Sequence, residues 1–296
     1  MIRIIADSTC DIAEELLRGY DLITLPLVIT VDGQNYLDGV DIGIEQVYDW
    51  MRRDILPQTA QVPYDVMRNA FEDCCKRGED FIYLSFSSEM SGCFSLSAVI
   101  TEELKAEYDN IRMEIVDSQG GSCATGLIVL QALKMAEAGH TMDEILKEIR
   151  FMIDHVEHIF TVADLNWMVK GGRISKPLGL AGSVLNIRPW LDVERGKMIV
   201  KGMVRGEKRA IALITEEVKK RSGAFSRQLI AIAHAGDRLL AEKVEEKIKK
   251  SLPECATAIT EIGGVLGVHL GMSGIGVFFF NERSGGYRLD LIDNKS

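Results

Sequence analysis

Short apolar runs alternate with amphipathic stretches through the first half of the chain. IRIIA (2–6) is such a run, and Asp7, Ser8 and Thr9, all helix N-cap types, follow it before a helical pattern to residue 20. LITLPLVIT (22–30) predicts one strand, and Asp32-Gly33 behind it predicts a hairpin turn. Residues 44–55 and 64–78 have helical periodicity, with Gly78 as a stop. Residues 57–63, bounded by Pro57 and Pro63, read as a loop. FIYLSF (81–86) and RMEIV (112–116) are strands, each followed by a helix, at 95–108 and 126–139. Three times a short buried-type strand ends in Asp or Ser and leads into a helix, at Asp7, Ser87 and Asp117. That rhythm predicts an α/β architecture with a parallel sheet and helices on both faces. Ligands bind outside the carboxyl ends of such strands, where these three turns gather.

After residue 140 the pattern changes. A long helix spans 141–158, placing His155 and His158 three residues apart on it, and HIFTVAD (158–164) follows as a strand. A short helix at 165–175 ends in two glycines, and 187–204 reads as a strand–turn–strand hairpin around ERGK. Helices at 206–222 and 237–252 flank a strand at 228–236. A further apolar stretch, 256–262, leads to the glycine-rich GGVLGVHLGMSGIG (263–276) and the apolar VFFF. This half predicts a mixed sheet with helices on one face. The expected division is residues 1–160 and 161–296, with the last strand free to join either part.

Net charge and composition narrow the function. A formal charge of −10 excludes nucleic-acid phosphate as the main partner. No run approaches the ~20 apolar residues that cross a bilayer, so a cytoplasmic protein is expected. The six cysteines form no C-x-x-C pair and have no histidine at zinc-ligand spacing, which points to reduced thiols and no metal.

The chemistry-bearing candidates are small polar groups. LSFSSEMSGCFSLS (84–97) puts Ser87, Ser88 and Ser91 at a strand-to-helix turn. Amides at a helix start and serine hydroxyls suit an anion, and the same residues equally suit plain caps. A serine nucleophile is disfavoured, because G-x-S-x-G is absent and no base lies nearby. His269 is the sole ionisable residue of the glycine-rich segment, which is neither a Walker loop nor a G-x-G-x-x-G turn. It reads as a site residue or as a packed core histidine. Arg173 in KGGRISK (170–176) offers a fork for a carboxylate or phosphate, or a solvated basic loop. Thr59 and Gln61 sit in the rigid polar stretch between the two prolines.

DSTCD (7–11), SSEMSGCFSLS (87–97), Asp117-Ser118, GGRIS (171–175) and GVHLG (267–271) occur in the order found in the DegV family, which the chain resembles over nearly its whole length. The resemblance implies an N-terminal three-layer α/β/α domain with a parallel sheet and a C-terminal two-layer α/β domain with a mixed sheet. It implies a non-enzymatic subunit that binds a long-chain fatty acid in an apolar tunnel. That subunit presents the carboxylate to a separate ATP-binding kinase subunit, which makes acyl phosphate. Thr59, Ser91, Gly92 and His269 would hold the carboxylate, with Arg173 orienting it or docking the kinase. Asp7, Ser8, Ser88, Cys93, Asp117 and Ser118 would support them. No cofactor is implied beyond the bound acid, and the resemblance leaves room for transient contact with a membrane surface. A related alternative is a small-molecule enzyme using His269, because the architecture also resembles the substrate-binding half of dihydroxyacetone kinases. The chain departs from the family pattern at Ala60, at Cys93, a weaker donor than the usual Thr, and at Met272-Ser273.

Overall fold

The computed structural model describes residues 2–174 and 187–289. Its elements begin with β1 Ile2–Asp7, α1 Glu14–Leu17, β2 Leu22–Leu25, β3 Val28–Val31, β4 Gln34–Leu37, α2 Ile44–Arg52, β5 Gln58–Ala60 and α3 Tyr64–Lys76. There follow β6 Asp80–Ser85, α4 Cys93–Lys105, β7 Met113–Asp117, α5 Ser122–Glu137, α6 Met142–His155, β8 Val156–Thr161 and α7 Asn166–Lys170. The remainder are β9 Ile187–Glu194, β10 Lys197–Arg205, α8 Glu207–Ser222, β11 Leu229–His234, α9 Arg238–Ser251, β12 Ala256–Glu261, α10 Gly264–Leu270 and β13 Ile275–Phe280. Ser175 and Lys176, at the end of the basic motif, lie outside the described residues.

A parallel sheet of order β2-β1-β6-β7 has β1 and β6 at its centre. Their apolar runs are buried on both faces, as unbroken apolar strands require. Helices α3 and α4 cover one face and α5 the other, the expected three layers. A six-stranded mixed sheet of order β10-β9-β8-β13-β11-β12 carries α8 and α9 on its far face. The last strand therefore lies inside this sheet, antiparallel to both β8 and β11. α5 packs against strands of both sheets, and 13 of its 16 residues are buried, which explains its lack of a polar face. Its fully buried Gln131 donates to the Gly286 carbonyl and accepts from the Arg288 amide, tying down the C-terminal segment.

Three expectations need correction, and one unassigned segment gains an element. The single strand over 22–30 is two strands in different sheets. Pro26 separates them, since its ring removes an amide donor and restricts the residue before it. β2 pairs with β1, whereas β3 is the middle of a small antiparallel sheet β4-β3-β5. The expected loop at 57–63 contains β5, so Thr59 sits on a strand opposite Ile29. The helix expected to reach residue 158 ends at His155. His158 lies on β8, so the two histidines share no helix face. Finally, the glycine-rich segment forms α10 despite poor helix propensity. Gly264 and Gly267 let it approach closely: a Cβ on Gly267 would lie 3.1 Å from Ile44 Cδ1 and 3.2 Å from the Tyr48 ring. This late helix thereby packs against α2, β3 and β5, elements from the start of the chain.

Candidate ligand-binding site

The turn after β6 is built on buried polar bonds. Asp7, at the end of β1, accepts from the Phe86 amide (2.8 Å), the Tyr83 hydroxyl (3.1 Å) and Thr9. Burial raises its pKa, and those bonds oppose the rise. Ser88 donates through its amide and hydroxyl to Asp117 at the end of β7. Ser118 accepts from Thr125 and donates to the Gly120 carbonyl. Ser87, fully buried, donates to the Gly196 carbonyl in the β9–β10 turn (2.8 Å), and Lys197 pairs with Glu89 beside it. These bonds hold the hairpin against the turn. Asp7, Ser88, Asp117 and Ser118 thus frame the turn without lining the cavity described below. Ser8 is elsewhere too. It donates to Asp38 (2.8 Å) and borders a separate, more acidic depression with Asp11 and Glu261.

Thr59, Ser91, Gly92, Arg173 and His269 all line one cavity of about 320 Å³. The Thr59 hydroxyl and His269 Nε2 are 2.7 Å apart, a contact between β5 and α10. His269 is 8% exposed; burial, and then the Arg173 charge, push its pKa down to about 4. The imidazole is therefore neutral near pH 7, with one nitrogen a donor and the other an acceptor. Its Nδ1 has no hydrogen-bond partner among the described residues. The ring fits because residue 171 is glycine: a Cβ there would lie 2.8 Å from His269 Cε1 and closer still to Nδ1. Arg173 is held by the Met90 and Gly171 carbonyls. Ser91 Oγ accepts from the Cys93 amide at the first residue of α4 and faces Cys93 Sγ, both at 3.3 Å. Gly92 leaves space for Gln61, whose side chain a Cβ would strike.

The other walls are mostly apolar. Phe160 of β8, Val162 just after it, Phe278 of β13, Val193 and Met198 of the hairpin, and Leu266 and Leu270 of α10 contribute, as does Phe86. Arg173 is the sole charged side chain among the described lining residues other than the neutral histidines. An apolar cleft with a few convergent polar groups suits a small amphiphile with an anionic end. His158 also lines it and was not singled out in the sequence, where it stood at the join of the expected helix over 141–158 and the expected strand over 158–164. The available signal was Gly120-Gly121. A Cβ on Gly120 would lie 2.7 Å from His158 Nε2, and one on Gly121 would lie 2.8 Å from Phe86 Cδ2.

Fold and cavity together define an α/β protein with a parallel and a mixed sheet and a mostly apolar cavity whose wall carries hydroxyls, two histidines and a guanidinium. The profile of the family described as "Uncharacterised protein, DegV family COG1307" matches residues 1–282, and the chain belongs to the DegV family. A DegV domain-containing protein of Clostridium perfringens is 33% identical over 285 residues, covering 95% of this chain and 99% of that one. Among solved structures, DegV of Bacillus subtilis, described as a fatty acid binding protein, matches with TM-score 0.83 and 26% identity. That match covers 94% of this chain and 99% of that one. The fatty acid kinase B3 protein of Streptococcus pneumoniae, loaded with linoleic acid, shares the fold with TM-score 0.86 at 20% identity, covering 95% and 100%.

Proposed function

We propose that the chain binds a long-chain fatty acid, with the acyl chain in the cavity and the carboxylate at Thr59, Ser91, Gly92 and His269. Arg173 stands close by as the compensating charge. The observation that carries this reading is that two hydroxyls, a neutral imidazole and one guanidinium, those of Thr59, Ser91, His269 and Arg173, line one mostly apolar cavity. Tail burial would dominate affinity: ten buried methylenes contribute about 8 kcal/mol before the cost of association. The head costs little to desolvate if each oxygen is hydrogen-bonded. The fatty acids bound by the Bacillus subtilis and Streptococcus pneumoniae proteins support the same ligand class.

The chain would then present the carboxylate to a separate ATP-dependent kinase subunit in the cytoplasm, collecting its ligand by brief contact with a membrane surface. Catalysis would reside in that partner. A two-part chain, expected as residues 1–160 and 161–296, belongs to the same reading, with β8, the first strand of the mixed sheet, beginning at Val156, a few residues before that boundary. The alternative, an enzyme using His269 as a base, wants a pKa near neutrality, and a value of about 4 favours the binding role. Native mass spectrometry of protein purified from bacterial cells tests the proposal. A mass increment of a long-chain acid is expected, and a delipidated protein that fails to bind oleate or palmitate would refute it.

A further inference from the structure

His158 is not used by the proposed carboxylate site. It is 4% exposed, lines the cavity, and neither ring nitrogen has a hydrogen-bond partner among the described residues. Burial pushes its pKa down to about 4, so near pH 7 the ring is neutral, with one N–H to give and one lone pair to receive. Its Nε2 edge faces the Gly120 backbone without bonding to it, and its ring meets Phe278 edge-on at 5.8 Å. Buried polar side chains are nearly always hydrogen-bonded, and a phenylalanine or leucine would pack among these neighbours without an orphaned polar atom.

Strand geometry locates it. His158 and Phe160 alternate along β8 onto one face, and both line the cavity with Val162, the residue just beyond the strand. Val162 and Phe160 belong to an apolar cluster against which Leu270 and Ile174 pack, the sequence neighbours of His269 and Arg173. His158 is two residues further back than Phe160 on the same face, about 7 Å along the strand. It is therefore placed to meet the ligand's chain and not its head.

We propose that His158 is a second polar recognition point for an oxygen atom carried partway along the acyl chain, and that the ligand class is hydroxylated or oxo long-chain fatty acids. This rests on the fatty-acid reading above and deepens it. A hydroxyl is the best complement, because it donates and accepts as the ring does.

Oleate and ricinoleate differ by one mid-chain hydroxyl, and their equilibrium binding to delipidated protein tests this. Wild type should bind ricinoleate about five- to tenfold tighter than oleate. His158→Phe should abolish or reverse that preference while still binding oleate. The wild-type ratio needs no variant, so a misfolded His158→Phe protein leaves the test intact. Oleate binding without a ricinoleate preference in wild type overturns the inference alone and identifies the partner of His158 as water at most. Failure to bind either acid overturns the fatty-acid reading and the inference with it.

Discussion

Replacing Gly171 with alanine isolates the His269–Thr59 contact, because the backbone of residue 171 is already helical at φ −73° and accepts any side chain. The new Cβ would lie 2.8 Å from His269 Cε1 and closer to Nδ1, inside the 3.0 Å that real Cβ atoms respect. The ring has no room to retreat along its Nδ1–Nε2 direction, since the Thr59 hydroxyl stands 2.7 Å beyond Nε2. It must swing aside by about 1 Å, which takes the 2.7 Å contact past the range of a hydrogen bond. A carboxylate held by this pair would lose a bond to a charged group, about 1.5–3 kcal/mol, or roughly ten- to a hundredfold in affinity. The control is Gly172→Ala. Its site is open within 4 Å but has φ +71°, so alanine should cost about 1–2 kcal/mol of stability and leave affinity within about twofold. Isothermal titration with oleate, alongside denaturant unfolding of each variant, reads both quantities. Unchanged affinity in Gly171→Ala would refute the placement of the head at His269.

Three further outcomes follow from the geometry. Ser91→Ala should weaken oleate binding by about 1–2 kcal/mol, since it removes a hydroxyl beside the head and the acceptor of the Cys93 amide; titration of the purified variant checks it. Ser87→Ala leaves the Gly196 carbonyl without its donor and should lower stability by about 1 kcal/mol, with faster amide exchange confined to the β9–β10 turn. The His158 pKa is lowered from 6.5 to about 4, so between those values the unfolded state binds more protons and stability falls as pH falls. Wild type should therefore lose stability from pH 7 to pH 4 faster than His158→Phe, by on the order of 3 kcal/mol. Comparing the two proteins cancels the opposite slope from Asp11, whose burial raises its pKa to about 7.

Much of the fold was legible because buried parallel strands are unbroken apolar runs. β1 and β6 announce themselves that way, and the Asp and Ser residues at the ends of β1, β6 and β7 mark the turns. The elements that bring the site together were harder to read. β5 is three residues long, too short for any periodicity, and exists because β3 offers it an edge. α10 is hidden by its glycines, whose lack of side chains is what lets it reach α2 and set His269 against Thr59. Ser91, Gly92, Arg173 and His269 emerged from motif order, and the structure gathers them at one cavity. Asp7, Ser88, Asp117 and Ser118 belong to the scaffold below it, since their polar atoms are spent on one another and on the backbone. His158 escaped notice because it stands where the expected helix and the expected strand meet, and only the start of β8 at Val156 decides which face it takes.

A crystal structure of the delipidated protein reloaded with oleate would show whether a fatty acid places its head at the Thr59–Ser91–His269 cluster. One carboxylate is expected within hydrogen-bond distance of the Ser91 and Thr59 hydroxyls, with the chain running past Phe160 toward His158. An empty cavity at saturating oleate, or a carboxylate bound away from that cluster, would contradict it.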